Sequence, residues 1–253
     1  MQKFSCKITD IDSFTNIIGM VSSIIDTIKF EFDTDGLRLQ ALDNSHICFI
    51  KSEFKAPYFM EYSFTMPDSF LVDAKDFIKL LNRKRKDDEL VLTTTNDFDL
   101  KLEFKNTEGV RSFKLALIDD NYETPSMPSF DTMVTDFGIP FDYFKKNLQD
   151  IQSVNSETVR ITINNEALAL SSTSDTEVSS YNSTYNHFGE DVNGECGAVY
   201  NVGKLLEFLK ADKVNNTLML SMGDDTPILM KLEDYADTVK LEFLCAPRLD
   251  NSN

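Results

Sequence analysis

The sequence predicts an α+β chain of two similar domains, each with two helices packed on antiparallel sheets. Three observations carry that expectation. Apolar residues recur at helical spacing in four short segments, strand-like runs fill the intervals between them, and segments of the first half return about 130 residues later.

The elements follow in chain order. A first helix is expected from Asp10 to Ser23, where Ile11, Phe14, Ile18 and Val21 share one face. Strand-like runs follow at Ile28 to Phe32, Leu37 to Ala41 and Ile47 to Phe54. The second helix is expected from Asp73 to about Lys86, with Ala74, Phe77, Leu80 and Leu81 as its apolar stripe. Leu90 to Thr95, Leu100 to Phe104 and Arg111 to Ile118 read as further strands. An acidic connector with Pro125 and Pro128 spans 119–131; proline holds the chain extended and removes a donor, so this is a surface segment. Its Tyr122, Met127 and Phe130 are more apolar than a tether needs, which makes docking as good a reading as tethering. The third helix covers Phe141 to about Ser153 through Phe144, Leu148 and Ile151, and the fourth covers Val202 to about Lys213 through Leu205, Leu206 and Leu209. Val159 to Ile163, Leu168 to Ser171, Thr217 to Met222, Ile228 to Leu232 and Val239 to Cys245 complete the strands.

The repeat is visible residue by residue. Asp73 to Leu81 lies without a gap on Asn201 to Leu209, an offset of 128, and Leu90 to Thr93 falls on Leu218 to Ser221 at the same offset. At an offset of 130, Phe14 lies on Phe144. The expected organisation is therefore a domain over 1–118, the connector, and a second domain over 132–253.

With 42% hydrophobic and 26% charged residues among 253, nine Gly and seven Pro, the composition is that of a globular protein. No apolar run approaches the roughly 20 residues that span a bilayer, and the N-terminus lacks a secretory apolar core, so an intracellular, soluble protein without membrane contact is expected. Four scattered cysteines without a CxxC pair read as buried thiols, not as metal ligands. The net charge of -17 argues on average against nucleic acid, since phosphate binding rests on Lys and Arg. Distribution qualifies the average. Lys75, Lys79, Arg83 and Lys86, with Lys84 and Arg85, sit opposite the second helix's apolar stripe; Lys145 and Lys146 lie on the third helix, and Lys204, Lys210 and Lys213 on the fourth. Outward lysines are ordinary on any one amphipathic helix. Three such helices in an acidic chain predict a local positive field. The first helix has no Lys or Arg, only Thr15, Asn16, Ser22 and Ser23 on its polar side.

No catalytic constellation emerges. Two histidines, His46 and His187, supply little for a triad or a metal cluster, and no catalytic residue, metal or cofactor is expected. Gly197 to Leu205 imitates a phosphate loop but has five residues between its glycines where the motif has four, and Leu205 where Ser or Thr belongs. A hydrolase using a carboxylate pair stays open, because acidic residues are abundant and their spacing singles out none.

The segments Asp35 to Ile47, Arg111 to Asp119 and Phe243 to Arg248, in order across both repeats, resemble the sliding clamps of the proliferating cell nuclear antigen family, most closely the archaeal type. The resemblance implies a DNA-clamp fold in which three chains close into a ring, with helices lining the hole. It implies a DNA polymerase processivity factor that holds duplex DNA by topology, is opened by a clamp-loader ATPase, and tethers polymerase, flap endonuclease and DNA ligase. The implied channel residues are Lys79, Arg83, Lys146 and Lys210, flanked by Lys75, Lys86, Lys145, Lys204 and Lys213. A pocket for partner peptides would use Leu42, His46, Ile47, Phe49, Met127, Pro128, Pro227, Leu244, Ala246 and Pro247. Subunits would meet through Arg111, Phe113 and Leu115, on a strand from Gly109 to Leu117, and Glu177, Val178 and Tyr181, on a strand near Asp175 to Asn182. The location would be cytoplasmic if archaeal and nuclear if eukaryotic. The alternatives are one chain of a heterotrimeric or checkpoint clamp and, further off, the acidic hydrolase.

Overall fold

The computed structural model describes residues 3–96, 98–119, 123–128, 135–164, 166–174, 176, 178–186, 195–211 and 214–248. Contacts divide the chain into two units, each discontinuous in sequence: Met1–Asn44 with Ile50–Met127 and Glu233–Leu241, and Ser45–Phe49 with Pro128–Leu232 and Glu242–Asn253.

The first unit holds β1 (Phe4–Ile8), α1 (Ile11–Ile24), β2 (Thr27–Phe32), β3 (Gly36–Leu42), β4 (Cys48–Lys55), β5 (Glu61–Phe64), β6 (Asp68–Asp73), α2 (Ala74–Leu81), β7 (Glu89–Thr94), β8 (Asp99–Asn106) and β9 (Gly109–Ala116), the first two residues of β4 being counted with the second unit. One sheet has the order β5-β1-β7-β8-β9, paired antiparallel throughout, and a second run has the order β6-β2-β3-β4. Alternating burial in β1, β2, β7 and β8 turns every second side chain into the core. Phe14 of α1 and Phe77 of α2 meet edge to face at 6.5 Å, and the rings of Phe54 and Phe30 lie against them at 5.1 and 5.6 Å, which seats both helices on the β6-β2-β3-β4 face. Phe4, Phe32 and Phe70 join the two sheets, with centroids 4.7 to 6.1 Å apart.

The second unit repeats the plan with β10 (Thr135–Pro140), α3 (Phe141–Ser153), β11 (Thr158–Ile163), β12 (Ala167–Thr173), β13 (Ser180–Asn186), β14 (Cys196–Asn201), α4 (Val202–Phe208), β15 (Thr217–Met222), β16 (Ile228–Glu233) and β17 (Val239–Cys245), the last residue of β16 and the first three of β17 being counted with the first unit. A four-stranded sheet has the order β13-β12-β11-β14, and a further run has the order β10-β15-β16-β17. Phe144, Leu148 and Ile151 of α3 are buried with Leu205 and Phe208 of α4, and Phe208 stacks on Phe243 at 5.2 Å. The repeat extends to the helix caps. Asp73 accepts from the Asp76 N–H at 2.8 Å, and its counterpart Asn201 accepts from the Lys204 N–H at 3.0 Å, so both begin with the same capping geometry.

Both second helices are shorter than expected. α2 ends at Leu81 and not at Lys86, because Arg83 and Lys84 donate to Leu80 and Leu81 in a tightened last turn and Asp87 then takes a positive φ of 64°. α4 ends at Phe208 and not at Lys213; Leu209 and Ala211 are buried beyond the last helical residue. Strands β1, β5, β6, β10, β13 and β14 were absent from the strand-like runs, with resemblance alone pointing to a strand near β13. The segment that imitated a phosphate loop is β14 pairing with β11, followed directly by α4.

Candidate nucleic-acid and partner interfaces

In the first unit α2 and the turn after it carry the basic residues. Lys79, Arg83, Arg85 and Lys86 are exposed. Lys75 reaches Asp26 at 3.0 Å, and that ammonium, donating to the carboxylate and attracting it, holds the Asp26 carboxyl below the usual range; the Asn44 amide adds to the effect. Lys84 is bound by Asp12 of α1. The first helix therefore contributes carboxylate where the other helices contribute ammonium, and two of the six basic groups are matched locally. The sequence shows α1's lack of lysine but not the roles of Asp12 on α1 and Asp26 just past its end, whose pairing depends on the α1–α2 contact and not on sequence spacing.

The basic turn is anchored from a distant strand. Arg111 of β9 donates through Nη1 to the Arg83 carbonyl at 2.8 Å, binds the Asp88 carboxylate through Nη2, and stands 5.2 Å from the Phe104 ring centroid. The Asp88 side chain is fully buried and also accepts from the Arg85 N–H at 2.6 Å and the Asn106 amide at 2.9 Å. A carboxylate removed from water demands such partners, and here they fix the turn that presents Arg83, Arg85 and Lys86.

In the second unit Lys146 and Lys210 are exposed, Lys145 lies 5.7 Å from the Phe141 ring centroid, and Lys204 is half-buried near the start of α4. Lys210 is bound to Glu207. Lys213 lies outside the described residues. Lys210 stands past the end of α4, so it is presented by a turn and not by a helix.

Six strands stand at the ends of the three sheet orders among the described residues, and two of them, β9 in the first unit and β13 in the second, carry or adjoin the residues expected at the subunit contact. Val110 and Val178 are 58% and 86% exposed, unusual for β-branched apolar side chains. Arg111 is engaged within the chain as described. Phe113 leans edge-on against Phe104 at 5.9 Å, and Leu115 is buried. Tyr181 donates to Asn147 Oδ1 at 2.6 Å, and burial pushes its phenol up. Glu177 and Asp175 lie outside the described residues, and β13 begins only at Ser180.

Within the second unit one sheet end gathers residues expected to hold a partner peptide. The Ala246 N–H donates to the Ile47 carbonyl at 2.9 Å, placing the start of β4 beside the end of β17. Because β16 and β17 form a hairpin, Pro227 at the entry to β16 lies at that same end. Ile47 is 40% exposed, His46 is exposed at a positive φ of 57°, and Pro227, Ala246 and Pro247 are half-buried. Phe49 and Leu244 are in the core, 2% and 5% exposed, so they support this end without facing solvent. Leu42 and Met127, both half-buried, belong to the first unit, and Pro128 is exposed. Among the described residues no group of three or more His, Cys, Asp or Glu is placed to hold a metal ion, and no helix is long and apolar enough to cross a membrane.

Two copies of a helix pair backed by antiparallel sheets, with basic groups on helix faces and turns, define the class of two-domain DNA-clamp folds. The family described as the N-terminal domain of proliferating cell nuclear antigen matches residues 4–124. The DNA polymerase sliding clamp of Methanothermobacter thermautotrophicus is 32% identical, covering 98% of each chain, and that of Methanobrevibacter smithii is 29% identical over 98% of this chain and 99% of its own. The crystal structure of proliferating cellular nuclear antigen from Entamoeba histolytica superposes with a TM-score of 0.89 over 98% of this chain and all of that one; at 20% identity this bears on the fold alone. This chain belongs to the DNA polymerase sliding-clamp family.

Proposed function

We propose that three copies of this chain close head to tail around duplex DNA and act as a processivity factor, tethering a polymerase and, in turn, other replication and repair enzymes. The observation that supports the ring best is the pair of sheet ends: β9 and β13 are different surfaces of one chain, so pairing one with the other is a heterologous contact that forms a closed ring when the rotation closes. Such pairing also covers edges that otherwise invite aggregation. The strands match in length, eight residues against seven.

A ring retains DNA by topology, so its inner surface needs only diffuse attraction. Lys79, Arg83, Lys86 and Lys146 supply it, while the pairing of Lys75, Lys84 and Lys210 with Asp26, Asp12 and Glu207 keeps the attraction weak enough for sliding. The acidic remainder of a chain with net charge -17 disfavours side-on binding. A polymerase held at the end formed by Ile47, Pro227, Ala246 and Pro247 stays at high effective concentration near the primer. Opening the ring falls to a separate ATPase.

Loading onto nicked circular DNA tests this. The chain should co-elute with the circle through high salt and leave when the circle is linearised; retention on linear DNA, or loss from the closed circle at high salt, would refute topological holding.

A further inference from the structure

Cys48 Sγ lies 3.9 Å from Cys245 Sγ, both side chains fully buried. Cys48 opens β4 and Cys245 closes β17. Two backbone hydrogen bonds, Lys55 N–H to Thr238 O at 2.8 Å and Ala246 N–H to Ile47 O at 2.9 Å, fit one antiparallel register in which Cys48 stands directly opposite Cys245. The neighbouring pair Ile47·Ala246 is hydrogen-bonded, so Cys48·Cys245 is a non-hydrogen-bonded pair, the position where facing Cα atoms approach to about 4.5 Å and side chains stand closest. That separation falls inside the range of about 4.4 to 6.8 Å that a disulfide bridges without backbone movement.

We propose that Cys48 and Cys245 form a redox modification site, closing a reversible cross-strand disulfide when a small-molecule disulfide such as oxidised glutathione is present. One cysteine, as thiolate, attacks the small disulfide and displaces one thiol. The other, on losing its proton, attacks the mixed disulfide and displaces the second. The protein gives up two electrons and two protons, and one small disulfide becomes two thiols.

Burial slows this chemistry but does not bar it, because the cysteine pair is the penultimate step of the strand pairing. Beyond it lies the Ile47·Ala246 bond, then the exposed His46 on one side and, on the other, Arg248, exposed in its side chain and held through its N–H to the Val199 carbonyl at 2.7 Å. Strand ends of this kind open locally at a small fraction of the global unfolding cost. The other two thiols are placed differently: Cys196 Sγ donates to the Met222 carbonyl at 3.8 Å, and burial pushes the Cys6 thiol far up, away from the reactive thiolate. The disulfide pins the strand ends that carry Ile47 and Ala246. Its effect on partner binding rests on the docking surface proposed above; the linkage itself does not.

The full-length chain is incubated with oxidised glutathione, quenched with acid, and its thiols are titrated after denaturation. Titratable thiols should fall from four to two. Digestion should yield one linked pair of peptides containing Cys48 and Cys245, which dithiothreitol releases. The single variants Cys48→Ala and Cys245→Ala should give no intrachain link. Four surviving thiols, mixed disulfides alone, or a link through Cys6 or Cys196 would overturn the site. Hydrogen exchange at the Ala246 amide should slow in the oxidised chain, and unchanged exchange would overturn the pinning. Affinity for a fluorescent peptide with apolar and aromatic anchors is compared in the two states. A peptide bound by neither form defeats the docking surface and leaves the linkage intact.

Discussion

Replacing Arg111 with Ala asks how much the basic turn depends on β9. The side chain makes two charge-assisted hydrogen bonds, to the buried Asp88 carboxylate and the Arg83 carbonyl, and lies against Phe104. Hydrogen bonds to charged groups contribute about 1.5 to 3 kcal/mol each. Two corrections lower their sum: Arg111 is 26% exposed, so water partly replaces what is lost, and Asp88 keeps its bonds from Arg85 and Asn106. The net cost expected is about 2 kcal/mol, which for a chain of this length lowers Tm by roughly 4–8 °C. Urea denaturation of the wild type, Arg111→Ala, Asp88→Asn and the double variant measures both the cost and its origin. The two single effects should fail to add by about 1 kcal/mol or more, as direct partners do. A loss under about 0.5 kcal/mol for Arg111→Ala, or additivity within that margin, would refute the anchoring role.

Changing Lys79, Arg83, Lys146 and Lys210 together to Gln should flatten the salt dependence of the chain's direct, unthreaded association with short linear duplex DNA by up to about 0.9 in log–log slope for each phosphate contact removed, with assembly intact; an unchanged slope removes these residues from the DNA surface. Ile47→Glu should weaken binding of an apolar partner peptide by about tenfold or more, the worth of one buried aliphatic side chain, while Tm stays constant because Ile47 is 40% exposed in the chain; retained affinity counts against this end as the docking site. Asp26 has a depressed carboxyl pKa in the folded chain, so its contribution to stability is present above the unfolded carboxylate range and is lost as pH falls through the folded value. NMR titration should place Asp26 below an ordinary aspartate, and Lys75→Met should return it to the usual range; a normal value in the parent chain contradicts the pairing.

The helices were legible because their apolar stripes are regular: Phe14, Ile18 and Val21, or Phe144, Leu148 and Ile151, are all buried where spacing puts them. The duplication was legible too, down to Asp73 and Asn201 acting as equivalent caps. Helix ends were not. Lys84, Arg85 and Lys86 favour helix locally, but Asp88 draws the Arg85 N–H and Arg111 out of that geometry, a tertiary effect from a strand more than twenty residues away. β13, Ser-Tyr-Asn-Ser-Thr-Tyr-Asn, carries no apolar alternation and pairs on one side only, with β12 at the end of its sheet order, and only resemblance put a strand near it. The docking residues were named by resemblance, yet Phe49 and Leu244 prove to be core. Exposure at a strand end depends on which face the register turns outward, and spacing alone does not fix register.

The central claim is that the two sheet ends of one chain pair with those of its copies to close a ring of three. Light scattering after size exclusion at micromolar concentration tests it most directly. The account predicts a mass near three times the 28.8 kDa chain, falling to the single-chain value when Val110 and Ser112 are both changed to Pro to block pairing along β9. A single-chain mass for the unmodified protein, or a trimer indifferent to those prolines, would contradict it.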